Sequence, residues 1–149
     1  TAGETAAGPA EAARADASAA PDVKTVIETR QAHLKEMGAA MKTISDELKK
    51  GAPSMATIRP AVATLNGHAP NLASWFPAGA GPEAGLKTEA LAVIWEDPAG
   101  FQAAAERFAA EAAKLSSLAA GEDVAALGPQ LGAVGASCKN CHDTFRLKK

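Results

Sequence analysis

DVKTVIETRQAHLKEMGAAMKTISDELKKG, residues 22–51, carries Val23, Ile27, Arg30, Leu34, Met37, Met41, Ile44 and Leu48 at alternating spacings of four and three. That spacing puts all eight on one face of a helix. Asp22 suits the N-cap, Lys49 and Lys50 suit the C-terminal end of the dipole, and Gly51 suits the stop, so the pattern predicts a helix over 22–50. The composition around it agrees. Thirty-eight of 149 residues are alanine, whereas Phe and Trp together supply six and Tyr none, which favours helices over the β-branched and aromatic surfaces of strands. The expected class is all-α.

A second stripe, Ile58, Val62, Leu65, Ala69 and Leu72, predicts another helix, with its regular part expected from Pro60 onward. Residues 75–85, WFPAGAGPEAG, are too rich in Gly and Pro for regular structure, and the adjacent Trp75 and Phe76 predict a loop folded back on the core. Asp97-Pro98 then starts a helix through Phe101, Ala105, Phe108, Ala112, Leu115 and Ala119 to Gly121. Asp123 starts a last one through Val124, Leu127, Leu131, Val134, Cys138, Cys141 and Phe145. Four amphipathic segments with two short turns and one long loop predict an antiparallel four-helix bundle over 22–149. Residues 1–21 have no large apolar side chain to anchor them and are expected to form a flexible extension.

Fifteen basic against seventeen acidic residues, with no basic block, argue against nucleic-acid binding. No run approaches the roughly 18 apolar residues of a membrane span. The sequence begins at Thr1 rather than Met, as an exported and processed protein would, and the expected location is the periplasm.

Cys138-Lys139-Asn140-Cys141-His142 is the motif that carries chemistry. C-x-x-C-H marks covalent attachment of a c-type haem. Thiols at i and i+3 of a helix lie one turn apart and can reach the two vinyl groups on one porphyrin edge, and the histidine that follows can supply an axial imidazole to the iron. A thiol–disulfide pair would call for an α/β setting, which is absent, and zinc would need further ligands, whereas His33 and His68 stand on other segments. No nucleophile with a positioned base is evident, so turnover is not expected.

With this motif near the end of a four-helix pattern, the chain resembles the cytochrome c′ family over about residues 22–149. The resemblance rests on Arg30-Gln31 with Gly38, Met41 and Lys42; Trp75-Phe76-Pro77 with Gly79 and Gly81; Lys87-Thr88-Glu89; Ile94-Trp95 then Asp97; and the run from Cys138 to Asp143 with Phe145-Arg146. It implies one haem c, bound through Cys138 and Cys141 and ligated by His142. It also implies that Leu34, four residues after Arg30, faces the distal side, where low-spin relatives carry a ligating methionine. Leucine has no lone pair to donate, so the implied iron is five-coordinate and suited to NO and CO. The alternative is an electron-transfer cytochrome with a periplasmic redox partner.

Met37 and Met41 lie on the apolar stripe, where core packing is the plainer reading. His33 and His68 are expected at the rim or surface. Arg30 needs an anion on such a face; the resemblance implies a haem propionate, and the alternative is a guanidinium that snorkels to the surface. Arg146, one turn past His142, lines the proximal face in the family, where NO can displace the histidine, or else it complements the helix dipole. A homodimer is likewise implied by the resemblance.

Overall fold

The computed structural model describes residues 22–121 and 123–147. The expected extension, residues 1–21, lies outside them. Four long helices dominate: α1 (Val23–Leu48), α2 (Met55–His68), α4 (Pro98–Ala120) and α5 (Val124–Phe145), with a single-turn α3 (Val93–Glu96) ahead of α4. Three begin where a side-chain oxygen accepts an orphan N–H as the sequence predicts: Asp22 from Thr25, Asp97 from Gly100 and Asp123 from Ala126. Consecutive long helices run antiparallel, and α1 packs on α2, α2 on α4, α4 on α5 and α5 back on α1, closing a four-helix bundle. Among the described residues no helix is long and apolar enough to cross a membrane.

The second helix departs from expectation. It starts at Met55, one turn before Pro60, because Ser54 caps the Thr57 N–H and the first turn buries Ile58 completely. Burial of Ile58, worth about 1.5–3 kcal/mol, offsets the bond that the proline cannot donate. The helix stops at His68, and Pro70 leads into a tighter 3-10 segment, Ala69–Trp75, which still delivers Ala69 and Leu72 to the core.

The core has two parts. The larger runs along the bundle through Met37, Ile44, Ile58, Leu65, Phe108, Leu115, Leu127 and Val134. The smaller gathers Ile94, Phe101, Ala104 and Phe145 at the end where α3 and the last turn of α5 meet. The long loop folds back as predicted. Phe76 meets the Phe101 ring edge-on at 4.9 Å, and the Trp95 indole N–H donates to the Phe76 and Pro77 carbonyls at 3.0 Å each. Gly79 and Gly85, with φ of 87° and 73°, make the turns there that other residues would resist.

Candidate functional site

The last turns of α5 carry Cys138, Cys141 and His142. Cys138 packs against the large core cluster and Cys141 against the small one, so the two half-buried thiols straddle the junction between them. Both are free. Burial pushes the Cys138 thiol up from its ordinary value; burial first, and then the neighbouring Cys138, push Cys141 up to about 11. Disulfide exchange needs a thiolate near neutral pH, so these environments oppose the thiol-redox reading. His142 is exposed at the end of α5. Desolvation by its surroundings, then the Arg146 guanidinium, hold its pKa below the usual imidazole value, which favours the neutral, ligating form. Two free thiols one turn apart and the imidazole that follows them are the donor set that a c-type haem takes, and the residues fit that group.

Leu34 is half-buried against the large cluster, the cluster that Cys138 also touches. Met37 is a core residue, and Met41 lies against the same cluster with its Cε 3.7 Å from where a Gly135 Cβ would sit. Both methionines therefore take the packing role.

Arg30 corrects its expectation in part. Its side chain is buried at 2% exposure and does not snorkel. No carboxylate among the described residues faces it. Its Nη2 donates to the Ala80 carbonyl at 2.8 Å and to Thr88 Oγ1 at 3.0 Å, and its Nη1 makes a longer contact of 3.4 Å with the Trp75 carbonyl. The guanidinium also lies over Phe76, 4.7 Å from the ring centre. Main-chain carbonyls and a hydroxyl are its acceptors within the protein, and desolvation lowers the pKa of this arginine.

The histidines also differ from expectation. His33 and His68 stack with ring centres 4.7 Å apart, and Trp75 completes the cluster 4.6 Å from His33. His68 Nε2 pairs with Glu36 at 2.8 Å, while His33 Nδ1 is buried without a partner. The α1–α2 packing brings these two half-buried rings together at an interplanar angle of 34°, a pairing that neither position signals alone.

Arg146 is the C-cap of α5, its main-chain N–H donating to the His142 carbonyl. Its Nε and Nη2 both lie 2.8 Å from Glu89 Oε1. Glu89 and Thr88 were not singled out for a role by their chemistry, although both stand in the Lys87-Thr88-Glu89 run that supports the resemblance. Their partners are 57 and 58 residues away, and nothing local signals them.

Comparison with known proteins gives the family. The family profile described as Cytochrome C′ matches residues 25–146. A cytochrome c′ of Rhodopseudomonas palustris is 38% identical over 125 residues, covering 83% of each chain. A solved cytochrome c′ described as having an unusual ligand-controlled dimer dissociation superposes with a TM-score of 0.81 at 26% identity, over 87% of this chain and all of the other. The nitric oxide complex of a leucine-to-alanine variant of cytochrome c′ from Alcaligenes xylosoxidans does so with 0.76 at 30% identity, over 85% and 97%. With a bundle of this topology, a C-x-x-C-H pentapeptide on its last helix and a family match across nearly all of the described residues, the chain belongs to the cytochrome c′ family.

Proposed function

We propose that this protein is a gas-binding cytochrome c′ of the periplasm that sequesters NO, and also takes CO, at a five-coordinate haem c. When bound, the haem supplies an iron with one open coordination position, where NO and CO bind without needing a hydrogen-bond donor. Cys138 and Cys141 would hold it through thioethers, and His142 would supply the protein's one ligand. Leu34 is the observation that carries the reading. A hydrocarbon side chain half-buried against the core, at the position the family uses for a sixth ligand, cannot coordinate, and it raises the cost of desolvating an anionic or strongly hydrated ligand beside it. Met37 and Met41, the nearby sulfurs, are committed to packing.

The nitric oxide complex of the relative supports NO as a ligand, and the dimer named for the other relative supports a homodimer here. The test is spectroscopic. Ferric and ferrous protein at neutral pH should both be high-spin and five-coordinate, and Leu34→Met should move the ferrous form toward low spin. A low-spin ferrous spectrum in the unmodified protein would overturn the reading in favour of an electron carrier, for which a fixed sixth ligand is the advantage.

A further inference from the structure

Residues 87–91 run antiparallel along the end of α5 and clasp it. The Leu91 N–H donates to the Phe145 carbonyl at 2.9 Å, the Leu147 N–H to the Glu89 carbonyl at 2.6 Å, and Ala90 bridges Arg146 between them. Within this ladder the Glu89 carboxylate takes two N–H groups of the Arg146 guanidinium, which fixes the plane of that side chain. The main-chain N–H of Arg146 donates to the His142 carbonyl at 3.2 Å, closing the turn that carries the imidazole. The clasp is anchored at its far end by α1: Gln31 Nε2 donates to the Lys87 carbonyl at 3.1 Å, and Arg30 donates to Thr88 Oγ1.

From this geometry we infer that Glu89 is a positioning residue which, by pinning Arg146, governs how readily His142 gives up its place on the iron. The inference rests on the reading of His142 as the iron ligand. The pair sits at the surface, with side chains 42% and 39% exposed, so it adds little to global stability. Its effect is local. A helix end frays within its last turn unless something holds it, and here the last turn carries the ligand. Releasing Arg146 loosens the residue that caps the His142 carbonyl, and the imidazole then has more freedom to swing away.

The experiment uses the haem-loaded protein and its Glu89→Gln, Arg146→Gln and doubly substituted forms. Three readouts are taken: the rate at which NO displaces His142 from ferrous iron, hydrogen exchange at the Arg146 Nε–H by NMR, and the urea midpoint. Each single substitution should speed displacement by roughly two- to fivefold, a range consistent with one exposed ion pair. The double form should go no faster than the singles, and the urea midpoint should stay put. The Nε–H should exchange slowly in the parent and fast in Glu89→Gln. An unchanged displacement rate in Glu89→Gln, or a double form whose acceleration is the product of the two singles, overturns the inference. Should the unmodified protein carry a sixth protein ligand, the gas-binding reading fails by itself. The Nε–H exchange then still decides the clasp, because equal exchange in parent and Glu89→Gln refutes it whatever the iron does.

Discussion

Replacing Arg30 with methionine keeps most of the side-chain volume and removes the donor fork. The Ala80 carbonyl loses a 2.8 Å bond, Thr88 Oγ1 keeps only the Ala90 N–H at 3.1 Å, and the weaker 3.4 Å contact to Trp75 disappears. Each strong bond to a charged donor is worth about 1.5–3 kcal/mol, and a buried acceptor left alone costs about 1–3 kcal/mol. The guanidinium's own desolvation is recovered, so the net loss should be about 3 kcal/mol rather than the sum. For a chain of 149 residues that corresponds to a fall in Tm of about 6–12 °C. Urea unfolding of the haem-loaded protein, followed by circular dichroism at helix wavelengths, measures it. Arg30→Lys should recover only about half, on the order of 1–2 kcal/mol, because an ammonium cannot fork to two acceptors. A loss below about 1 kcal/mol for Arg30→Met, or full recovery by lysine, would refute the claim that the guanidinium holds the 75–88 loop.

Three further outcomes follow from the packing. Phe108→Ala removes a ring that is 3% exposed in the large cluster and should cost about 3–5 kcal/mol in the same urea titration. Gly81→Ala would place a Cβ 2.6 Å from Trp95 Cζ3, and because the indole is held by two carbonyls it cannot yield; thermal denaturation should show a loss of about 1–3 kcal/mol. Glu47 accepts from Lys50 Nζ at 2.6 Å and from the Ser54 N–H at 2.9 Å, which hold its carboxyl below its ordinary 4.5 in the folded state. A depressed carboxyl stabilises fully above its unfolded pKa and loses that contribution as pH falls through the folded one, so Glu47→Gln should flatten the acid side of a stability–pH curve below about pH 4.5.

The helices and the covalent site were legible for a common reason: their signals are local. Asp22, Asp97 and Asp123 each act on an N–H three residues on, and the two cysteines and His142 span a single turn. Pro60 misled because its local effect on the helix start was outweighed by the burial of Ile58 on other helices. Arg30 reads in the sequence as a charge on an apolar face that needs an anion, and its burial at 2% exposure excludes only the snorkelling alternative. Its acceptors are mostly main-chain carbonyls, present at every residue and therefore unmarked in sequence. His33 and His68 escaped notice as a pair because 35 residues and a helix crossing separate them. Glu89 and Arg146 meet only once the loop has laid itself along α5.

The reach of Arg30 bears on the order in which the chain is completed. The path from Trp75 to Thr88 is held partly by Trp75 and Phe76 against the core and partly by a single cation about 45–58 residues upstream. A newly made chain can therefore form its first helix early, from contacts within itself, but this connection acquires its final course only when that helix is already standing beside it. The segment that crosses the bundle is in this sense a late cast taken from an earlier mould, and a lesion in the mould would surface as a misshapen loop far along the sequence.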